Sequence, residues 1–184
     1  MQTSLQAIAE KAKKDRGHRF RNLFGMLDFW FIGACWQKLN KKSAAGVDRV
    51  SAKDYGKDLW VHIRDLVERL QGNRYRAKFV RRPYIPKGPG KWRPLGIPAT
   101  EDKRLQRAVA MILEAIYEQE FYACSYGYRP QVGAKKAVMD LSKELATGKY
   151  KAIVEADLSG FFDHVDHLKW VEMLKKRLED RRFR

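Results

Sequence analysis

The sequence predicts an α+β fold, and three observations carry that reading. Long stretches of its 184 residues repeat apolar side chains at helical period, five of its six prolines crowd between Pro83 and Pro98, and an apolar run ends in a carboxylate at Asp157. The periodic stretches read as helices, while the prolines exclude a helix from their own segment. The run ending at Asp157 reads as a short buried strand.

Taken in chain order, residues 5–15 and 20–39 read as helices, the second along Leu23, Leu27, Trp30, Ala34 and Leu39. Trp30, Phe31 and Trp36 are expected to pack between helices. Lys38 to Gly46 is a polar linker closed by glycine. Ser51-Ala-Lys-Asp54 resembles a capping box with Asp for Glu, opening a helix to about Leu70 that Gly72-Asn73 ends. Phe79 to Ile85 and Trp92 to Ile97 read as strands of a β-hairpin over residues 79–98, tipped by Lys87-Gly-Pro-Gly-Lys91. Prolines within those strands place them at an exposed sheet edge. Thr100 is expected to cap a helix with Glu101 and Asp102 in its first turn and a buried stripe of Leu105, Ala108, Val109, Ile112, Leu113 and Ile116. Ser125 to Pro130 is a loop, Ala134 to Leu145 a helix, Lys149 to Asp157 the strand, and His167 to Leu178 a closing helix. Residues 158–184 offer that strand no neighbour, so the chain is expected to be the truncated N-terminal part of a longer protein.

Charge narrows the function. Lys and Arg number 38 against 22 acids, a formal net charge of +16. Residues 71–100 hold eight Lys or Arg and no acid, interleaved with Tyr75, Phe79, Tyr84 and Trp92. Such a field attracts phosphate polymers, and aromatics supply stacking faces for unpaired bases. Arg74, Arg76, Lys78, Arg81 and Arg82 are therefore candidates to line a nucleic-acid backbone; Tyr75 and Tyr84 could stack or serve the core. Cys35 and Cys124 stand far apart without metal-ligand spacing, which argues against a disulfide scaffold or zinc site and suits a reducing cytoplasm. No stretch approaches the ~20 apolar residues of a membrane span, and no phosphate-binding loop of the Gly-x-x-x-x-Gly-Lys type occurs.

Asp157 is the candidate for chemistry. A carboxylate at the end of a buried strand can hold a hard cation such as Mg2+, and an aromatic five residues on can wall off the sugar of what that cation binds. Asp163, His164, Asp166 and His167 could mimic a metallohydrolase cluster, but sequence neighbours do not share a helical face, and Asp166 is expected to cap the last helix. His18 and His62 read as surface or groove-lining residues.

Asp157-Leu-Ser-Gly-Phe-Phe-Asp-His-Val-Asp-His167 resembles the first catalytic motif of reverse transcriptases of the group II intron type. Three further blocks match in the expected order: Gly46-Val-Asp48, Ile85-Pro-Lys-x-x-Gly-Lys-x-Arg-Pro-Leu-Gly-Ile-Pro98, and Ser125-Tyr-Gly-Tyr-Arg-Pro130. The resemblance covers most of residues 5–184. It implies right-hand polymerase fingers with an N-terminal helical extension and the first catalytic strand of the palm. The implied division is an RNA-binding extension at 1–45, fingers at 46–148 and the start of the palm at 149–184.

It also implies roles. Asp157 would ligate two catalytic Mg2+ ions and the Leu158 carbonyl one of them. Phe162 would be the gate against a ribose 2′-hydroxyl, with Phe161 packed beneath. Lys87 and Arg93 would grip the incoming triphosphate, and the loop holding Arg129 would shape the floor under template and nucleotide. The partners implied are template and intron RNA, a DNA primer and dNTP, with no membrane, and with a homodimer left open. The aromatic-x-Asp-Asp motif that completes the family's catalytic set is absent from these residues. Two ions ~4 Å apart need several carboxylates, so residues 1–184 alone are expected to be inactive. A non-catalytic RNA-binding or maturase remnant is the competing reading, and a defence- or CRISPR-associated reverse transcriptase a third.

Overall fold

The computed structural model describes residues 2–184, in seven α-helices, short 3-10 turns and one two-stranded antiparallel sheet. The helices are α1 (Gln2–Lys14), α2 (Phe29–Cys35), α3 (Ala52–Tyr55), α4 (Leu59–Gln71), α5 (Thr100–Tyr117), α6 (Ala134–Ala146) and α7 (His167–Lys175); the strands are β1 (Tyr84–Gly88) and β2 (Lys91–Pro94). The α+β class expected from the sequence is the class found. Two compact units divide the chain, one built chiefly on Asn22–Glu114, the other on Gln6–Arg21 with Ala115–Arg182.

In the first unit the helix expected over 20–39 is interrupted. The Asp28 carboxylate accepts from the Phe31 amide at 2.7 Å and starts α2 afresh, because an Asp with extended backbone satisfies an orphan N–H better than a continued helix would. Of the three aromatics expected to pack between helices, Phe31 and Trp36 are buried, but Trp30 is 70% exposed. The helix expected from Ser51 to Leu70 is likewise divided, into α3 and α4. Ser51 does cap α3, its hydroxyl accepting from the Asp54 amide. Gly56 then closes it, with Ala52 O and Trp36 Cζ2 both near where a β-carbon would stand. Trp36, Ala52 and Tyr55 form a buried cluster under Leu39, Val50 and Leu59. Helix α4 buries Ile63, Leu66, Val67 and Leu70 at helical spacing and ends at Gly72, with Asn73 left-handed at φ +56°.

The hairpin forms within the proline-rich segment, but its strands sit nearer the tip than the expected Phe79–Ile85 and Trp92–Ile97. Ile85 pairs Arg93 and Tyr84 pairs Pro94, with a register shift between Pro86 and Gly88. Hydrogen bonds from Leu95 N to Pro83 O and in both directions between Arg81 and Ile97 carry the pairing outward. The Pro89-Gly90 tip closes through Gly88 at φ +144° and Gly90 at φ +68°, conformations that side chains oppose.

Helix α5 begins at Thr100. Its hydroxyl, expected as a cap, donates instead to Val50 O at 2.7 Å, pinning the loop before α3. Beside it Gly46 lies so close to the Pro98–Ala99 backbone that a β-carbon would stand 2.6 Å from Ala99 N and Cα. That approach explains why a glycine opens the Gly46-Val-Asp48 block.

In the second unit, Arg177 is 5% exposed and closes the carboxyl end of α1. Its guanidinium donates to the carbonyls of Asp15, Arg16, His18 and Ala12 and pairs with Glu120 at 2.5 Å. A cation placed on the free carbonyls of a helix end is favoured by both hydrogen bonding and the helix dipole. Phe20 N donates to Arg177 O, Glu179 N donates to Phe20 O, and Arg21 pairs bidentately with Glu179 at 2.7 and 3.0 Å.

The strand expected over Lys149–Asp157, and with it the first palm strand, is not formed; these residues are exposed and carry no regular secondary structure. No neighbouring strand among the described residues is available to pair their backbone groups, and an extended segment gains little from water alone. The stripe of α6 is exposed for the same want of a surface to cover it, as at Val138 and Leu141.

Two outcomes follow from these contacts. Gly46→Ala should lower stability by about 1–3 kcal/mol in thermal unfolding, since backbone rather than a yielding side chain opposes the new methyl. The Glu179 carboxyl is held below its ordinary 4.5 by its hydrogen bond from Arg21. Its small contribution is therefore full above 4.5 and disappears as pH falls through the lowered folded value. Melting temperatures of the wild type and Glu179→Gln should differ at pH 6 and converge in acid.

Candidate nucleic-acid and nucleotide interface

The basic arm at 73–82 leaves α4 through two amides. Arg74 N and Tyr75 N both donate to Arg69 O, at 2.8 and 3.0 Å. From there the arm is held by α5. Asp102 is 2% exposed, and its carboxylate accepts from the Tyr75 hydroxyl at 2.5 Å and from the Lys78 amide at 3.1 Å. Burial, and then the hydrogen bond to this carboxylate, pushes the Tyr75 phenol well above its ordinary value. Neighbouring Glu101 pairs with Arg69 at 2.7 Å, and Lys78 Nζ pairs with Asp48 at 2.9 Å. The acids of the first turn of α5 thus face protein, where the sequence suggested only a helix-dipole role. Tyr75 takes the core role rather than the stacking one, while Tyr84 is exposed.

What the arm and hairpin present outward is charge. Arg74, Arg81, Arg82, Lys87 and Arg93 are exposed and have no ion-pair partner among the described residues. Arg76 folds back on the carbonyls of Asn73 and Tyr75. Lys87 lies at the register shift, and Arg93 stands opposite Ile85. Phe79, Tyr84 and Trp92 are exposed along the same segment, so cationic heads alternate with open ring faces. Unpaired cations beside exposed rings can meet phosphates and unstacked bases without first breaking internal bonds.

The second unit holds the remaining candidates. Arg129 is spent on its own loop: it pairs with Glu118 at 3.0 Å, donates to Tyr122 O at 3.0 Å and Ser125 O at 2.7 Å, and lies over the Phe121 ring. Tyr126 donates to Asp140 at 2.7 Å, and Lys136 with Tyr126 holds that carboxyl below its ordinary range. Thus braced, the loop projects Tyr128, left-handed at φ +55° and 98% exposed, edge-on to Phe162 with ring centroids 6.5 Å apart. Sequence reasoning gave Asp102 only a place in a helix's first turn and Asp48 only a place in a motif block, and it did not single out Glu118; an acid within a strongly basic chain was the available signal, but spacing did not reveal its partner.

Asp157, Leu158, Phe161 and Phe162 are all exposed. Phe161 does not pack beneath Phe162 but meets it edge-on at 5.4 Å, because no layer lies under the turn. Gly160 is left-handed at φ +62°, and its carbonyl meets His164 Nδ1 at 2.8 Å. Asp166 caps α7 through the Leu168 and Lys169 amides, as expected. No group of three or more His, Cys, Asp or Glu able to hold a metal occurs among the described residues. A hard dication takes six or more oxygens. The lone Asp157 carboxylate does not fit a two-ion centre by itself.

A family model for reverse transcriptase (RNA-dependent DNA polymerase) matches residues 85–179. The chain belongs to the reverse transcriptase family, in its group II intron type. It is 36% identical over 183 residues to Protein YkfC of Escherichia coli (strain K12), a match covering 96% of this chain and 48% of that protein. To the group II intron-encoded protein LtrA of Lactococcus lactis subsp. cremoris it is 30% identical over 183 residues, 96% of this chain and 29% of that one. Identity is 28% over 122 residues to a putative COX1/OXI3 intron 2 protein of Saccharomyces cerevisiae, 66% of this chain and 14% of that protein. The chain therefore spans about half the length of one relative and under a third of another. No helix among its described residues is long and apolar enough to cross a membrane.

Arg129→Ala should destabilise the second unit by about 1–3 kcal/mol, since Glu118 and two carbonyls lose a shared donor. Arg129→Lys should recover only part of this, because an ammonium lacks the planar fork. Thermal unfolding, with protease cleavage mapped inside 121–130, checks both.

Proposed function

We propose that this chain grips template and nucleotide in RNA-directed DNA synthesis of the group II intron type, and that by itself it binds RNA without polymerising. The observation that carries the reading is the set of exposed cations Arg74, Arg81, Arg82, Lys87 and Arg93, which have no ion-pair partner among the described residues, are interleaved with exposed aromatics and run into the family match at 85–179. On this reading Arg74, Arg81 and Arg82 follow the template backbone, Arg76 and Lys78 join them by exchanging their contacts with the Asn73 and Tyr75 carbonyls and with Asp48 for phosphate, and Lys87 and Arg93 hold the triphosphate of a dNTP. The division is an RNA-binding helical extension at 1–45, polymerase fingers at 46–148 and the start of the palm at 149–184.

In the second unit Phe162 gates against the ribose 2′-hydroxyl, and Asp157 with the Leu158 carbonyl supplies part of the ligand set for Mg2+. Arg129 acts by bracing its loop, its donors being already engaged. Intron RNA and a DNA primer are the further partners of the reading.

The non-catalytic behaviour is favoured by Asp157 itself, an exposed lone carboxylate on an unpaired segment. Binding of a structured RNA should weaken steeply as salt rises, and Arg82→Ala should reduce the log–log slope by about 0.7–0.9. A flat salt dependence refutes the nucleic-acid reading. With a primed RNA template, dNTPs and magnesium, the purified chain should incorporate no nucleotide; template-directed extension that Asp157→Ala abolishes would instead assign it the whole reaction.

A further inference from the structure

The basic arm is short of internal reasons to keep one shape. It carries no helix or strand between Asn73 and Arg81, its outer residues are exposed, and its cations repel one another. Left to itself, such a segment would sample many conformers, and each would lose freedom on meeting a phosphate backbone. Yet its middle is fastened at two points to one buried carboxylate. Asp102 takes the Tyr75 hydroxyl and, three residues along, the Lys78 amide. The Lys78 ammonium is turned aside to Asp48, and Arg69 lies 6.0 Å over the Tyr75 ring.

Burying a carboxylate is costly unless its lone pairs are satisfied, and here the groups satisfying them belong to the arm rather than to α5. Neither Tyr75 nor Asp102 reaches outward to touch a ligand. We propose that Asp102 and Tyr75 are positioning residues that pre-order the 74–82 arm for a nucleic-acid phosphate backbone, so that ordering is complete before the polymer arrives. This rests on the RNA-binding reading above and deepens it: affinity is set partly by a buried carboxylate and the part-buried phenol bonded to it, neither of which contacts RNA.

The test separates ordering from contact, because salt slope counts phosphates neutralised, whereas pre-ordering changes affinity at constant count. Tyr75→Phe keeps the ring and removes only the hydroxyl; Asp102→Asn keeps the shape and removes the charge. Each is assayed in the full chain with one structured RNA across a salt series, beside Arg82→Ala, and amide hydrogen exchange is followed over 74–82 without RNA.

Tyr75→Phe should weaken binding by roughly three- to tenfold with an unchanged salt slope, and exchange over 74–82 should quicken while exchange in α4 does not. Asp102→Asn should act in the same direction, and the double variant should lose less than the product of the two single losses, because both weaken the same Tyr75–Asp102 bond. Unaltered affinity in a folded Tyr75→Phe, or a loss accompanied by the reduced slope of Arg82→Ala, overturns the proposal. A wild-type chain that binds no RNA overturns the functional reading and this inference with it; wild-type binding that Tyr75→Phe leaves intact overturns this inference alone.

Discussion

The first unit depends on a polar node buried at the start of α5. Within four residues, Glu101, Asp102 and Arg104 each turn a charged group inward, where isolated charges are strongly disfavoured. Arg104 is fully buried; its Nη2 donates to the Tyr55 hydroxyl, and its guanidinium lies 4.5 Å from the centre of that ring and 5.6 Å from that of Trp36. Burial depresses its basicity, while the ring faces and the Glu101 charge offset part of that cost. Glu101 reaches Arg69 on α4, and Asp102 reaches the arm beyond it. One helical turn thereby fastens α3, α4 and the basic arm, each by a different chemistry.

That arrangement resolves a conflict in a chain so rich in cations. A surface meant for phosphate must keep its positive groups free, but free cations repel and loosen the segment that bears them. The few acids in this region are spent inside, on Tyr75, Lys78 and Arg69, and leave Arg81, Arg82, Lys87 and Arg93 unneutralised. The hairpin solves the related problem of an exposed edge. Its prolines withhold amide donors at Pro83, Pro86 and Pro94, and its lysines discourage pairing with another strand.

In the second unit arginine does the opposite work. Arg177 gathers four carbonyls at the end of α1, and Arg129 gathers two carbonyls and a carboxylate within its loop. The planar fork of a guanidinium suits this, since one side chain meets several acceptors at once. A count of basic residues treats these two as equal to Arg81 or Arg82. Their surroundings make them structural, which composition could not distinguish.

Much of the fold was legible because its signals are local. The apolar stripes of α4 and α5, the Ser51 and Asp166 caps, the Gly72-Asn73 stop and the proline-flanked hairpin depend on neighbours within a few positions. The four motif blocks were equally legible, and they placed the chain in its family. Where reasoning failed, the deciding partner was distant or absent. A strand over 149–157 needed another strand to pair its amides, and the helix expected over 20–39 yielded to an Asp28 side chain that competes for a backbone donor. The sequence determined which segments curl, which turn and where positive charge collects. Only the tertiary structure decided that Asp102 would hold the arm, because a buried charge takes its meaning from groups that folding, not chain order, brings against it.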